Sequence, residues 1–347
     1  MKKITIDVLS KATSAPAQGV GSAFLEQTKL LEELGKDDFT LAYNKHSSKF
    51  DLYHVHSINP TFYLMMKKRR RTICYVHFLP ETLKGSIRLP KPIFSLFCRY
   101  VVSFYKRAKE IVVVNPAFIK PLVNLGIKEE NITYIPNFVD ERCFYPLPLE
   151  EKMKIREKYN LPKDKKIIIS VGQIQTRKGV LDFLETARLC PEYHFLWVGG
   201  FSFKGLTDGY QQLKKEIEKK RDNVTFLGIV PREEMNALYN ASDIFFLASY
   251  NELFPMSLLE ACSVGIPYVV RDLDLYKDIL LGSYLTGKTN EEFASAIKKL
   301  GSDQNFYQQA AELSLAIKDK YSRASIYQMW KAYYNRILAK YPLSSKE

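Results

Sequence analysis

The sequence has no apolar run of about 18 residues, so it predicts no helix that spans a membrane. Its five cysteines are widely scattered, with no C-x-x-C pair. This usage excludes a disulfide framework and a cysteine-based zinc site. The apolar stretch in the opening MKKITIDVLS is too short for a secretory signal, and we expect a first strand there instead.

Acidic residues are scarce in one part of the chain. The 347 residues include 51 Lys and Arg against 38 Asp and Glu, which gives a formal charge of +13. Residues 61–110 hold twelve basic and two acidic side chains, so they carry +10 and leave +3 for the remainder. A local excess of this kind predicts a face that meets an anionic surface.

Apolar runs with the composition of β-strands alternate with helical patterns along nearly the whole chain. The runs are continuous, which is typical of parallel strands buried on both faces. They predict an α/β protein with two Rossmann-like, doubly wound parallel-sheet domains that face each other across a crevice. The predicted strands are 3–9, 52–57, 72–77, 110–115 and 132–136 in the first domain, and 166–171, 193–198, 224–227, 243–248 and 267–271 in the second.

Three prolines and a polar, helical segment at 149–160 separate the two sets of strands. We therefore place the domain boundary near residue 145, with domains at 1–145 and 146–320. The last segment, 321–347, carries Trp330, Tyr333 and Tyr334 on one predicted helix. Because so aromatic a helix is unsuited to solvent, we expect it to pack back on the first domain.

Glu252 and Glu260 stand eight residues apart around a predicted strand-to-helix turn. Glu252 is expected in the loop at the carboxyl end of the strand, and Glu260 about two turns into the helix. The helix N-terminus at residues 254–257 is expected to offer N–H groups to a diphosphate. Taken singly, each glutamate is more often a solvated side chain beside a helix cap than a ligand-binding group.

The sequence from Glu252 to Pro267 reads E-x-F-P-x-x-x-L-E-A-x-x-x-G-x-P. It resembles the E-x7-E motif of the GT4 family of retaining, nucleotide-sugar-dependent glycosyltransferases, which have the GT-B fold. The stretches 171–180 (VGQIQTRKGV) and 224–249 are similar to the family's diphosphate loop and to its nucleotide-lining segment. The three motifs occur in the family's order, and the resemblance covers essentially the whole chain.

The resemblance implies a role for each matching residue of the second domain. Glu252 would contact hydroxyls of the donor sugar and Glu260 the ribose, while Lys178 would bind the diphosphate. A fixed positive charge there would neutralise the leaving group as the glycosidic bond breaks. The remaining donor-binding residues expected in this domain are Gln173, Arg177, Gly228, Ile229 and Phe254.

Two of these positions depart from the family's pattern. Gln173 stands where the family usually has Arg, and Leu253 stands where it usually has Gly. We expect Arg177 to supply the cation that Gln173 lacks.

In the first domain, Gly19 and Gly21 follow the first strand and open a helix. Such a pair is often only a turn, but its position matches the family's glycine-rich donor loop. His77 closes the third predicted strand and matches the family's active-site histidine, although Phe78 stands where the family often has Asp. A lone histidine at a strand end is more often structural. In the resemblance, His77 orients the sugar, and Glu252, His77 and Lys178 are the catalytic residues.

The resemblance implies no metal and no cofactor apart from the nucleotide-sugar substrate. Asp272 and Asp274 mimic the D-x-D metal motif of the other glycosyltransferase fold. We expect them to form a solvated turn.

A basic and aromatic segment surrounds the third predicted strand. On the helix predicted from about residue 92, Ile93, Phe97, Tyr100, Val101 and Phe104 would form the inner stripe, whereas Phe94 and Tyr105 would lie on a second surface. Basic and aromatic side chains together suit an anionic lipid interface. They also suit nucleic acid, but no RNA-binding signature is present. The predicted membrane-binding residues are Lys67, Lys68, Arg69, Arg70, Arg71, Lys84, Arg88 and Lys91.

Within the family, the chain most resembles the bacterial glycolipid synthases that build diglycosyl-diacylglycerol. The resemblance implies a peripheral enzyme at the cytoplasmic face of the cell membrane, which moves a hexose onto monoglucosyl-diacylglycerol to make an anchor lipid for lipoteichoic acid. Galactose from UDP-galactose is favoured. The alternatives are a UDP-glucose-dependent glucosyltransferase acting on a lipid, a teichoic acid or capsular polysaccharide glycosyltransferase, and a basic nucleic-acid-binding protein. Expected partners are a UDP-hexose, a glycolipid acceptor and an anionic membrane surface, without nucleic acid.

Overall fold

The computed structural model describes residues 3–11, 19–47, 49–80, 90–201, 209–282 and 284–342. The chain divides into two units, of which the first comprises Met1–Phe138 with Arg323–Glu347 and the second Val139–Ser322. The division falls at Phe138, before the predicted boundary near residue 145. The physical reason is that Phe144 and Tyr145 are already bonded within the second unit: Ser263 Oγ donates to the Phe144 carbonyl at 2.7 Å, and the Tyr145 N–H donates to Asn236 at 3.0 Å.

The first unit is built on a six-stranded parallel sheet. Its elements are β1 (Ile4–Leu9), α1 (Gly19–Leu34), β2 (Phe39–Tyr43), β3 (Leu52–Val55), α2 (Pro60–Lys67), β4 (Thr72–Val76), α3 (Lys91–Arg107), β5 (Glu110–Val113), α4 (Ile119–Asn124) and β6 (Ile132–Tyr134). The strand order is β2-β1-β3-β4-β5-β6. Every residue of β3, β4 and β5 is buried, because helices cover both faces of a doubly wound sheet.

The second unit repeats this architecture with a different strand order. Its elements are α5 (Leu149–Lys158), β7 (Ile167–Val171), α6 (Val180–Leu189), β8 (His194–Val198), α7 (Tyr210–Glu218), β9 (Val224–Gly228), α8 (Met235–Ala241), β10 (Ile244–Leu247), α9 (Met256–Val264), β11 (Tyr268–Arg271), α10 (Asp274–Ile279), β12 (Leu285–Gly287), α11 (Asn290–Ser302) and α12 (Gln304–Lys320). The strand order is β12-β11-β10-β7-β8-β9, again parallel throughout. The predicted α/β class with two doubly wound parallel sheets is confirmed.

The last helix, α13 (Arg323–Lys340), belongs to the first unit. Its Tyr334 hydroxyl lies 2.9 Å from Nδ1 of His54 in β3, and Lys340 Nζ lies 2.7 Å from the buried carboxylate of Glu110 in β5. Trp330 is fully buried. A helix that buries this much aromatic surface is part of the core of its unit.

Each sheet has a topological switch point, where the strand order reverses. It lies between β1 and β3 in the first unit and between β7 and β10 in the second. Open parallel sheets bind ligands beyond the carboxyl ends of the strands that flank this point. In the second unit those ends carry the loops 172–179 and 248–255, and in the first His56 follows β3 directly. Within the described ranges, no helix is long and apolar enough to cross a bilayer.

Candidate active site

Two loops of the second unit meet at its switch point. A tight turn at Thr176–Lys178 follows β7, and Glu252 lies in the loop after β10. Lys178 Nζ lies 2.6 Å from Glu252 Oε1, and the two side chains are only 14% and 7% exposed. The fold therefore joins residues of two separate motifs in one shielded ion pair. A pair this well shielded holds its partners firmly, because removing either one would strand a buried charge.

Gly179 allows the two loops to approach this closely. Its φ is +70°, and a Cβ there would lie 2.3 Å from the carbonyl oxygen of Ala248. Only glycine tolerates both the left-handed backbone and this contact. In the Lys178-Gly179 pair of the motif, the lysine supplies a positive charge and the glycine allows the close approach of the two loops.

Glu260 occupies a second ionic site in the same unit. It lies little more than one turn into α9, because the helix begins at Met256, and not two turns in as predicted. Its carboxylate accepts a hydrogen bond from the Tyr239 hydroxyl at 2.8 Å and lies 3.1 Å from Arg232 Nη1. Burial raises the pKa of Glu260, and the contacts with Arg232 and Tyr239 oppose that rise.

Arg232 and Tyr239 both contact Glu260, and the sequence analysis singled out neither of them. Both lie inside the stretch 224–249 that resembles the nucleotide-lining segment. The signal that could have identified Arg232 is its place as the one basic residue of P-R-E-E, directly after the segment's exposed turn.

Strand β9, which opens the stretch 224–249, ends at a glycine with a left-handed backbone. Gly228 has a φ of +75°, and its carbonyl accepts a hydrogen bond from Gly199 N–H at 2.8 Å. The next residue, Ile229, is 77% exposed although it is aliphatic. An exposed aliphatic side chain at the carboxyl end of this sheet is available to a flat apolar ligand group.

Of the other residues predicted to bind the donor, Phe254 is buried, and its ring lies 5.7 Å from that of Tyr321. Met256 N–H and Leu258 N–H already donate to the carbonyls of Phe254 and Pro255. The expectation that this helix N-terminus is free for a diphosphate is therefore wrong for those two groups, because the tight turn at Pro255 uses them itself.

Gln173 and Arg177 lie in the diphosphate-loop motif. Gln173 accepts a hydrogen bond from Gln175 at 2.8 Å. Arg177 is exposed, and its Nη1 donates to the Asn251 carbonyl at 3.3 Å. Arg177 thus rests on the loop that carries Glu252, and its charge lies at the surface beside the Lys178 pair.

Three histidines form a buried cluster in the first unit. The ring centroids of His54 and His56 are 4.3 Å apart, and those of His56 and His77 are 5.9 Å apart. Burial lowers the pKa of His54 to about 3 and that of His77 to about 4, and it lowers the pKa of His56 well below its ordinary value. All three are therefore neutral at pH 7. In the described part of the chain, no hydrogen-bond partner meets either ring nitrogen of His56 or Nε2 of His77.

Some predicted residues have no described environment. Gly19 and Gly21 lie in the first turns of α1, but residues 12–18, which include most of the glycine-rich loop, are outside the described residues. Lys84 and Arg88 also lie outside them, as does the side chain of Lys91.

The basic run 67–71 does not form a single surface. Lys67, Lys68 and Arg70 are exposed, and Arg69 stacks over the Tyr53 ring at 5.2 Å. Arg71 is only 7% exposed, and its Nε donates to the Tyr341 carbonyl at 2.6 Å. The prediction that Arg71 binds a membrane is wrong, because its guanidinium holds the chain end that follows α13.

Helix α3 buries a different set of side chains from the one predicted. Tyr105, predicted at the surface, is buried, and its hydroxyl donates to the Phe78 carbonyl at 2.8 Å. Ile93, predicted inside, is exposed together with Leu96. Val101 and Phe104, further along the helix, are the residues that fill the core, whereas the first turns leave their apolar side chains exposed.

The D-x-D sequence lies apart from the ion pairs described above. Asp272 lies 3.3 Å from Lys288, and the exposed Asp274 opens α10 and lies 2.6 Å from Lys277. Across the described ranges, no group of three or more His, Cys, Asp or Glu residues could hold a metal ion.

The comparisons with known proteins agree with this fold. Residues 151–314 match the family model "Glycosyl transferases group 1", and residues 19–142 match "Glycosyltransferase Family 4". The structure is similar to that of Anabaena HepE in complex with UDP and glucose, with a TM-score of 0.73 and 17% identity over 96% of this chain and 100% of that one. The two family models and the fold together define a glycosyltransferase with the GT-B fold.

Sequence relatives make the assignment narrower. The chain is 42% identical over 338 residues to the alpha-galactosylglucosyldiacylglycerol synthase of Streptococcus pneumoniae, covering 96% of this chain and 90% of the relative. It is 26% identical over 293 residues to the processive diacylglycerol alpha-glucosyltransferase of Acholeplasma laidlawii, covering 84% and 86%. The chain therefore belongs to the GT4 family of glycosyltransferases.

Proposed function

We propose that this protein is a retaining α-glycosyltransferase that moves a hexose from a UDP-hexose onto monoglucosyl-diacylglycerol to make a diglycosyl-diacylglycerol. Galactose is the favoured hexose, in line with the name of the pneumococcal relative. The observation that carries the proposal is the contact of Lys178 with Glu252 at the switch point of the second unit. It combines a cation suited to a diphosphate with a carboxylate suited to sugar hydroxyls.

Lys178 and Arg177 would bind the diphosphate of the donor. As the phosphate oxygens approach Lys178, they replace the Glu252 carboxylate, which then accepts hydrogen bonds from hydroxyls of the hexose. The fixed cation stabilises the charge that develops on the leaving diphosphate. Because lysine and arginine supply this charge, the proposed reaction needs no metal.

The nucleoside would lie over the other half of the site. Glu260 accepts hydrogen bonds from the ribose hydroxyls, as it does from Tyr239 in the structure described here. Arg232 favours the charged form of the carboxylate, and the exposed Ile229 packs against the base. A carboxylate whose pKa is raised by burial needs such a partner to remain an acceptor.

Retention would follow from attack on the face of the sugar that the diphosphate leaves. The acceptor hydroxyl forms the new bond to the anomeric carbon while the bond to the diphosphate breaks, and a diphosphate oxygen takes the hydroxyl proton. His77 is neutral because burial lowers its pKa to about 4. A neutral ring can orient a hydroxyl through a hydrogen bond without adding a positive charge.

Exposed side chains of α2, of the turn after it and of the first turns of α3 would attach the enzyme to the cytoplasmic side of the membrane. They are Leu64, Lys67, Lys68, Arg70, Ile93 and Leu96. Apolar side chains together with lysine and arginine suit the boundary between anionic headgroups and acyl chains. This pattern supports a peripheral membrane protein and an acceptor that resides in the bilayer.

A cavity of about 540 Å³ beside α3 supports a lipid acceptor. Leu79, Val102 and Leu125 contribute apolar walls, and Arg99 and Lys106 contribute two positive charges. Mainly apolar cavities of this size with a few polar groups are typical of small-molecule sites. An acyl chain of the acceptor would fill the apolar part, with its ester oxygens near the two cations.

The decisive experiment combines purified protein with UDP-galactose or UDP-glucose and with diacylglycerol or monoglucosyl-diacylglycerol in vesicles. Lipid chromatography identifies the product, and NMR of the new glycosidic bond gives its anomeric configuration. We expect an α-linked diglycosyl lipid from UDP-galactose and the monoglucosyl acceptor, formed equally in EDTA. Glu252→Gln is the matched control, and we expect its turnover to be reduced at least tenfold but still measurable.

Each other outcome selects a different function. Transfer from UDP-glucose alone would favour a glucosyltransferase, and a β-linked product would exclude retention. Loss of activity in EDTA that manganese or magnesium restores would place a metal at the diphosphate. Transfer to a polyprenyl-linked or polysaccharide acceptor, with none to the glycolipid, would favour wall or capsule synthesis.

A further inference from the structure

We propose that Asp182, Tyr250 and Arg271 form a positioning cluster that fixes the distance between Lys178 and Glu252. The cluster acts through the two loops and does not touch the donor. The inference rests on the proposed function of the Lys178–Glu252 pair, and it assigns a role to three residues that no sequence motif singled out.

Arg271 is the centre of the cluster. It is the last residue of β11, and its side chain is nearly buried. Its Nη2 lies 2.9 Å from Asp182 Oδ1, and its Nε donates to the carbonyl of Ala248 at 2.9 Å. The guanidinium also lies 3.9 Å from the centroid of the Tyr250 ring. One planar cation therefore holds the start of α6 and the beginning of the loop after β10.

Tyr250 links the same two elements from the other side. Its hydroxyl donates to the Asp182 carboxylate at 2.9 Å, and its N–H donates to the Arg177 carbonyl at 2.8 Å. Tyr250 thus joins the loop of Lys178 through the backbone and the helix after that loop through its side chain. Half of its surface is exposed, so burial of an apolar ring does not explain these contacts.

The cluster is close to the reacting groups in sequence as well as in space. Glu252 follows Tyr250 by two residues, and Asp182 follows Lys178 by four. Because so few residues separate them, fixing Tyr250 and Asp182 leaves the backbone at Glu252 and Lys178 little freedom. The cluster therefore fixes the distance between the Lys178 and Glu252 side chains, so that one can bind the diphosphate while the other binds the sugar. Supporting contacts that hold reacting groups in place in this way make a site efficient.

Tyr250→Phe tests the proposal with the smallest change, because it removes the hydroxyl and keeps the ring over Arg271. Tyr307→Phe is the matched control, since that hydroxyl also donates to an oxygen in this unit, the Asp243 carbonyl at 2.9 Å, away from the loops. We expect Tyr250→Phe to lower kcat about tenfold, with little change in KM for the UDP-hexose and in Tm. Tyr307→Phe should leave kcat near that of the wild type.

A double-variant cycle separates positioning from a general structural role. If Tyr250 acts through Glu252, Tyr250→Phe should cost nothing further in a Glu252→Gln background, because the carboxylate it positions is gone. Additive losses in kcat would overturn the proposal. Arg271→Lys should behave like Tyr250→Phe with a larger loss, since lysine keeps the charge and loses the planar fork.

A measurement without activity keeps the inference separate from the proposed function. Acetylation of Lys178 by a lysine-reactive reagent, followed by mass spectrometry, reports how well the pair is held. We expect Tyr250→Phe to raise the labelling rate of Lys178 several-fold and Tyr307→Phe to leave it unchanged. Equal labelling in all three proteins would overturn the positioning role. Raised labelling without any sugar transfer by the wild type would overturn the proposed function alone.

Discussion

Arg71 is hydrogen-bonded to the backbone of Tyr341, 270 residues away in the chain, although it ends a run of five consecutive basic residues. Its neighbours Lys67, Lys68 and Arg70 are exposed. A run that looks uniform in sequence therefore contains two kinds of charge, one facing solvent and one fixed inside the first unit. The two kinds should respond differently to substitution.

Replacing Lys67, Lys68 and Arg70 together by Gln should weaken binding to anionic vesicles by about 3 kcal/mol at low salt, given about 1 kcal/mol for each charge. Cosedimentation with phosphatidylglycerol vesicles measures this. Wild-type binding should fade as salt approaches about 0.5 M, where screening reaches only ~4–5 Å. Equal binding to neutral vesicles would contradict the role of charge, and tighter retention on polynucleotide than on vesicles would favour a nucleic-acid-binding protein.

Arg71→Gln should lower the stability of the protein and leave its vesicle binding unchanged. We expect the free energy of unfolding to fall by about 2 kcal/mol, because the Tyr341 carbonyl loses a charged hydrogen-bond donor. Urea unfolding at pH 7.5 measures the change. Vesicle binding of the folded variant should equal that of the wild type, and a loss of binding without a loss of stability would return Arg71 to the membrane surface.

Glu252→Ala and Lys178→Ala should each reduce turnover at least tenfold, or about 1.4 kcal/mol and more. Each change removes one group of the proposed donor site and leaves its shielded partner unpaired. Steady-state kinetics on protein shown to be folded by circular dichroism gives the comparison. Near-normal turnover of folded Glu252→Ala would remove this pair from the reaction.

Stability should depend on pH through the buried histidines. Their pKa values in the folded protein lie below the unfolded value of 6.5, at about 3 for His54 and about 4 for His77. The unfolded chain therefore binds protons first, so stability is complete above pH 6.5 and is lost as pH falls from there towards the folded values.

For His54, His56 and His77 together, the loss between pH 7.5 and pH 5.5 should be about 4 kcal/mol, since each contributes up to about 1.4 kcal/mol per pH unit. Urea unfolding at the two pH values measures it. His56→Gln should make the dependence shallower by about a third. Equal stability of the wild type at both values would mean that the three rings are not buried as neutral groups.

Val102→Trp should fill part of the cavity beside α3. We expect KM to rise for a monoglucosyl-diacylglycerol with long acyl chains and to stay unchanged for a dihexanoyl acceptor and for the UDP-hexose. Met329→Trp, on the exposed side of α13 in the same unit, is the matched control. If Val102→Trp leaves the long-chain KM unchanged, acyl chains do not enter the cavity.

Much of the fold follows from local sequence patterns. The ten predicted strands all occur, because continuous apolar runs between polar turns have few other stable arrangements. The two strands that were missed, β2 and β12, lie at sheet edges. Edge strands are half-exposed or short, so FTLAY and LTG carry no strong apolar signal.

The sequence motifs predicted only part of the candidate site. The motifs identified Lys178 and Glu252, but their contact is a product of strand order, which brings β7 beside β10. Arg232, Tyr239 and Arg271 act through side-chain directions that no spacing rule gives. For a similar reason the predictions for Tyr105 and Ile93 were both wrong. Whether a helical residue is buried depends on which elements pack over its turn, and the helix sequence alone does not specify them.

The order of the chain has a consequence for synthesis on the ribosome. The second unit is one continuous segment, whereas the first is closed by α13, which supplies Trp330 and Tyr334 to its core. The amino-terminal sheet is therefore made first and completed last. Since domains fold as units during translation, we expect the second unit to reach its native state before the first, with the emerging histidine-bearing strands exposed until the final helix is released.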